Sequence, residues 1–191
     1  MSRIAGIVLA AGKARRMGRD KRLLPVGGIP MVVLAIRAAL EGGLDPVVVV
    51  TGPEALDGLP NGIQVVSNLE PERGMASSLA LGVGALPDDA TAVVVLLADM
   101  PKVTSVHVAA LAARFDPAEG CEIVVPVMEG KRGNPVLLGQ RFFAEMVGLS
   151  GDKGARGIIT QHAALVAEVE MDDAVLLDVD TPDDMKRLVA I

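Results

Sequence analysis

Leu9-Ala10-Ala11-Gly12-Lys13-Ala14-Arg15-Arg16-Met17-Gly18-Arg19-Asp20-Lys21 is the stretch that decides how this chain is read. An apolar run, Ile4 to Leu9, stops at three small residues and passes into a glycine-bounded loop crowded with cations. The run has the length and unbroken hydrophobicity of a buried strand. Ala10-Ala11-Gly12 lets the backbone approach a ligand closely. Backbone N–H groups backed by Arg and Lys form a seat for phosphate. Arg16 and Lys21 are placed to neutralise the oxygens of a triphosphate, a task that dominates phosphoryl chemistry. Lys13 and Arg15, taken alone, read as solvated.

Outward from that loop, strand and helix signals alternate, which predicts a doubly wound α/β domain with a mainly parallel sheet. Val47–Val50, Ile63–Val66, Ala92–Ala98 and Ile123–Val127 read as further strands, with Ala92–Ala98 the most hydrophobic and therefore central. Val136–Leu138, Leu165–Val169 and Val175–Leu177 read as short strands, and Gly130–Pro135 as a loop. Helical spacing covers Met31–Glu41, Gly74–Gly82, Val106–Phe115, Phe142–Val147, Ile158–His162 and Asp183–Val189, with Thr104 and Thr181 as N-caps. No repeat or linker interrupts the pattern, and one domain over 1–191 is expected. Ligands in such sheets bind beyond the carboxyl ends of the strands. Three unusual segments fall there: Ala10–Lys21, Asn68–Ser78 and Asp99–Pro101.

Composition narrows the partners. The chain is 51% hydrophobic but its only aromatics are Phe115, Phe142 and Phe143, leaving little for bases of a nucleic acid to stack on. Net charge is −6, yet residues 1–22 hold seven Lys and Arg against one Asp, so +6 stands there and −12 on the rest. A local cationic patch on an acidic protein suits a small phosphorylated ligand and argues against nucleic acid. Cys121 is the sole cysteine, which excludes an intrachain disulfide or thiolate metal cluster. The apolar runs are far shorter than a membrane span. The chain enters its first strand without a secretory-signal pattern, so a cytoplasmic location is expected.

Asp99, at the end of the most hydrophobic strand, is a candidate Mg²⁺ ligand, since Mg²⁺ takes few protein oxygens beside substrate phosphates. Asp178 or Asp180 could supply a second carboxylate. Neither a Gly-x-x-x-x-Gly-Lys-Ser/Thr loop nor a Gly-x-Gly-x-x-Gly turn follows the first strand, which excludes a Walker-type ATPase and weakens a nicotinamide-dinucleotide reading. His107 and His162 stand apart, with no nucleophile motif beside either, and read as ordinary helix residues.

The motif Leu9-Ala10-Ala11-Gly12-x-x-x-Arg16-Met17-Gly18-x-x-Lys21-x-Leu23-Leu24-Pro25 resembles the nucleotide-binding signature of the MobA-like NTP transferases. Gly74-Met75-x-x-Ser78-Leu79-x-x-Gly82, Leu97-Ala98-Asp99-Met100-Pro101, Asp178-Val179-Asp180-Thr181-Pro182, Arg132-Gly133-Asn134-Pro135-Val136 and Gly151-Asp152-Lys153-Gly154-Ala155-Arg156 extend it, the last two toward the molybdenum cofactor cytidylyltransferase (MocA) type. The resemblance implies a Rossmann-like three-layer α/β/α sandwich of the glycosyltransferase-A, nucleotidyltransferase type. It also implies transfer of CMP from CTP to the terminal phosphate of molybdopterin, with release of pyrophosphate and a requirement for Mg²⁺. Carried onto this chain, Leu9, Ala10, Ala11, Gly12, Gly74 and Ser78 would hold the nucleotide with Arg16 and Lys21. Lys21, Arg16 and Asp99 would be catalytic, and Asp99 and Asp180 would bind the metal. Asn134, Gly151, Asp152, Gly154 and Arg156 would face the phosphorylated pterin, and a molybdoenzyme would receive the product.

Ala11 suits the cytidylyl type, whereas Gly12-Lys13-Ala14-Arg15-Arg16-Met17-Gly18 reads locally like the guanylyl type. Transfer to a guanylyl-type cofactor or to a sugar 1-phosphate is the alternative within the same chemistry. A non-catalytic cofactor-delivery protein and an NAD(P)-dependent oxidoreductase are alternatives outside it.

Overall fold

Val47–Thr51 is buried at all five positions and Ala90–Leu97 at six of eight, because both faces of the strands they form are covered. The computed structural model describes residues 3–12, 21–152 and 154–189. In order, the elements are β1 (Arg3–Ala10), a hairpin of β2 (Pro25–Val26) and β3 (Ile29–Pro30), α1 (Met31–Glu41), β4 (Val47–Thr51), β5 (Ile63–Ser67), α2 (Met75–Gly84) and β6 (Ala90–Leu97). There follow α3 (Ser105–Arg114), β7 (Ile123–Met128), β8 (Lys131–Arg132), β9 (Val136–Gly139), α4 (Phe143–Val147), α5 (Arg156–Gln161), β10 (Val166–Glu170) and α6 (Pro182–Val189).

The main sheet runs β10-β7-β9-β6-β1-β4-β5, with β8 paired to β7. It is parallel except at β9, which is antiparallel to both β6 and β7, and at β8. As expected, β6 lies at the centre. Alternation along the strands divides the core into two layers. Val8, Val47, Val49, Val94 and Leu96 pack under α1 and α3, while Ile7, Val48, Val50, Val93 and Val95 pack under α2, α4 and α5. Helix α2 approaches β1 closely at Gly82, where a Cβ would stand 2.8 Å from Ile7 Cγ2.

Two expectations are corrected. Residues 175–177 are not a strand: Asp173–Leu176 forms a 3₁₀ turn because the Asp172 carboxylate accepts from Ala174 N–H at 3.0 Å, a cap that pre-empts sheet pairing. Within the expected loop 130–135, Lys131–Arg132 pairs back on β7 around Glu129 (φ 50°) and Gly130 (φ 76°). Two successive positive φ values make the turn of a tight hairpin without its usual Asn-Gly signal. Both expected N-caps hold: Thr104 forms a capping box with His107, and Thr181 Oγ1 accepts from Asp184 N–H at 3.3 Å. Among the described residues, no helix is long and apolar enough to cross a membrane.

Candidate active site

Strands β1 and β6 end level with each other, Leu9 opposite Leu97, with Ala98 N–H donating to Leu9 C=O at 3.1 Å. From β1 the chain crosses to β4 on one side, whereas β6 flanks β1 on the other. The gap between them is a topological switch point. A cavity of about 250 Å³ opens there, and Leu9, Ala10, Ala11, Gly12, Gly74, Ser78, Asp99 and Asp152 all line it. The structure thus gathers the small-residue turn, the start of α2 and the β6 carboxylate around one space.

Each wall has a local cause. Ala10 and Ala11 are buried beneath the rim, and the buried Arg22 donates through Nη1 to Ala10 C=O. Nothing in the sequence distinguishes Arg22 from the neighbouring loop cations; its burial and its bond to Ala10 single it out. Asn68, at the carboxyl end of β5, is 2% exposed; its Nδ2 donates to Ser77 Oγ and Ser78 Oγ, both at 2.9 Å. Gly74 precedes α2 with φ +93°, a conformation that favours glycine, and a Cβ there would lie 2.5 Å from Asp152 Oδ1. Met75 N–H donates to that Oδ1 at 3.2 Å, and Ala76 N–H to Gly151 C=O at 3.0 Å. Gly151 and Asp152, expected on the acceptor side only, are therefore seated on the same helix start that borders the first cavity.

Asp99 is half-buried. Its carbonyl accepts from Val179 N–H at 2.9 Å, which brings the exposed Asp178 and Asp180 alongside the end of β6. That segment is held further back by His107 Nε2 to Asp172 Oδ1 at 3.1 Å and by Asn134 N–H to Val175 C=O at 2.9 Å. Among the described residues, no three His, Cys, Asp or Glu side chains converge as a ready-made metal cluster. A cation held by Asp99 and one neighbouring carboxylate would draw its remaining oxygens from ligand phosphates or water, the habit of Mg²⁺.

A second cavity of about 360 Å³ adjoins the first, sharing Leu9, Met75, Leu97 and Asp152 as a common wall. Its floor is aliphatic (Leu79, Val95, Val125, Val136, Ile159), and Arg132, Asn134, Gly154, Arg156 and Thr160 also line it. Arg132 is partly committed, donating through Nε to Glu168 at 2.9 Å. Arg16 belongs to segment 13–20, outside the described residues, as does the side chain of Lys21. His107 and His162 stay in structural contacts, the latter against Glu145 and the Phe142 ring.

The model of the MobA-like NTP transferase domain matches residues 6–183. The chain belongs to the MobA-like NTP transferase family. Among curated relatives, it is 31% identical to the purine catabolism protein PucB of Bacillus subtilis (strain 168), over 95% of this chain and 93% of that one. It is 30% identical to nicotine blue oxidoreductase of Paenarthrobacter nicotinovorans, over 97% and 96%. A molybdenum cofactor guanylyltransferase of Rhodobacter capsulatus is 54% identical over 41 residues, 20% of this chain and 22% of that one. Of solved structures, Rv0371c of Mycobacterium tuberculosis H37Rv superposes with a TM-score of 0.84 at 29% identity, over 100% of this chain and 99% of that one. Its manganese complex gives 0.78 at 30% identity over the same shares. The fold and chemistry class of this MobA-like chain are therefore those of the nucleotidyltransferases.

Proposed function

We propose that this chain transfers CMP from CTP to the phosphate of a phosphorylated pterin, molybdopterin, releasing pyrophosphate with Mg²⁺ as the metal. The observation that carries the reading is the pair of adjacent cavities with one shared wall. The first has the small-residue turn and Asp99 that a nucleotide and its metal need. The second has an aliphatic floor for a flat ring, with Asn134 and Arg156 at hand for polar substituents.

In this reading Ala10–Gly12 lie against the nucleotide, and Arg16 and Lys21 hold its phosphates. Asp99, with Asp180 or Asp178, would hold the cation, which when bound neutralises charge on the transferring and leaving phosphates. Asn134 and Gly151–Arg156 orient the acceptor. An ionised acceptor oxygen attacks the α-phosphorus in line, the bond to the β-phosphate oxygen breaks, and pyrophosphate leaves with the electron pair. The attacking oxygen already carries negative charge near neutral pH, so the chain needs no general base. Its residues act by position and electrostatics.

The local identity to a guanylyltransferase keeps GTP as the second nucleotide to test. The relative named as an oxidoreductase raises a different class, although this chain lacks the dinucleotide glycines after β1. Thermal shift with CTP, GTP, ATP, UTP and NADPH, each with Mg²⁺, separates these readings. A ligand at a hundredfold excess over its dissociation constant adds about 2.7 kcal/mol of stability. CTP is expected to protect; protection by NADPH without any nucleoside triphosphate would overturn the proposal.

A further inference from the structure

We infer that Asn68 is a positioning residue that fixes the Ser78 hydroxyl as a hydrogen-bond donor into the first cavity, where it reads an acceptor atom of the nucleobase. The inference rests on the nucleotide reading of that cavity and adds a residue and a polarity to it.

The polarity follows from accounting for each proton. Asn68 Oδ1 faces Glu70 N–H at 2.9 Å. A backbone N–H can only donate, so the atom facing it must be the amide oxygen, and the other end is the NH₂. Both NH₂ protons are then used, on Ser77 Oγ and Ser78 Oγ at 2.9 Å each. Both hydroxyl oxygens accept from Asn68 and must send their own protons elsewhere. Ser77 sends its proton to Gly74 C=O at 2.8 Å. The Ser78 hydroxyl proton has no acceptor among the described residues, and Ser78 lines the cavity.

Burial makes the arrangement stiff. Asn68 is 2% and Ser78 5% exposed, and Asn68 N–H is itself held by Thr51 C=O at 2.8 Å. Among the described residues, the α2 side of the cavity around Ser78 carries no cation, only Pro71, Gly74, Met75 and the Asp152 carboxylate. That carboxylate accepts from Met75 N–H and would repel a phosphate, whereas Asp99 and the cationic Arg22 stand elsewhere on the lining. An uncharged base belongs beside Ser78, and the charged phosphates belong nearer Asp99. A fixed donor beside a base selects a ring nitrogen or carbonyl oxygen there and rejects a base that presents N–H.

The test is a double-mutant cycle on nucleotide affinity, measured by calorimetry with CTP, UTP, GTP and ATP in Mg²⁺, with melting temperature followed in parallel. Ser78→Ala and Asn68→Ala should each weaken the preferred nucleotide about tenfold, and the double variant no further, because Asn68 acts through Ser78. Ser77→Ala shares the Asn68 contact but does not line the cavity, and should bind as wild type. Asn68→Asp accepts from the hydroxyls instead of donating, so the order of preference among the four nucleotides should change. Additive losses in the cycle, or wild-type affinity in Ser78→Ala, would overturn the inference while leaving nucleotide binding standing. No binding of any nucleotide by the wild type would overturn the cavity reading and the inference with it.

Discussion

Gly74→Ala is the substitution whose consequence the structure specifies most fully. Gly74 holds φ +93° and ψ 177° at the entry to α2. A non-glycine residue kept in that region costs on the order of 1–3 kcal/mol. The added methyl would also stand 2.5 Å from Asp152 Oδ1 and 2.7 Å from Gly151 C and O. Those atoms are backbone or the carboxylate bonded to Met75 N–H, so relief requires the 151–152 loop to leave the helix start. Two hydrogen bonds, Met75 N–H to Asp152 and Ala76 N–H to Gly151, would go with it. At about 1 kcal/mol each, they bring the expected loss to about 3–5 kcal/mol. For a chain of this size that corresponds to a melting temperature lower by ~10 °C. Hydrogen exchange at the Met75 and Ala76 amides should accelerate in step, since both lose their acceptors. Asp152→Ala removes only the carboxylate and should cost about 0.5–2 kcal/mol, as a lost cap does. A Gly74→Ala melting temperature within about 2 °C of wild type, with both amides still protected, would refute the idea that this glycine locks loop to helix.

Three further outcomes are expected. Asp99→Asn should lower turnover by at least about a hundredfold, the scale of removing one electrostatic stabiliser, with the melting temperature unchanged; wild-type turnover would remove Asp99 from the metal site. Ile159→Trp fills part of the aliphatic floor of the second cavity, so steady-state kinetics should show a raised KM for the acceptor with nucleotide affinity unaltered. Gly82→Val forces a side chain against Ile7, where even a Cβ stands at 2.8 Å, and chemical denaturation should show a loss of about 1–3 kcal/mol, the range for overpacking.

Much of this architecture was legible in the sequence because hydrophobic periodicity and strand burial are local signals. The unbroken apolar runs of β4 and β6 announced strands covered on both faces, and Met31–Glu41 announced a helix with the observed ends. Segment 173–176 escaped because an aliphatic triplet looks the same whether it pairs in a sheet or sits under the Asp172 cap. The site was legible in its small residues, Ala10–Gly12, and in a carboxylate at a strand end. Asn68 and Arg22 were not, since their meaning lies in contacts across nine or more positions: Asn68 with Ser77 and Ser78, Arg22 with Ala10. Nor could spacing show that Asp152 reaches back to Met75 across 77 residues, joining two motifs that read as separate.

The central claim is that the two adjoining cavities hold a donor nucleotide and a phosphorylated acceptor at once. Incubation of the wild-type chain with CTP labelled at the α-phosphate, Mg²⁺ and molybdopterin tests it most directly. The account predicts that the label moves to the pterin with one pyrophosphate released per transfer, and that neither event occurs without the pterin. Label that stays on the nucleotide under saturating CTP, GTP, ATP or UTP with this acceptor would contradict it.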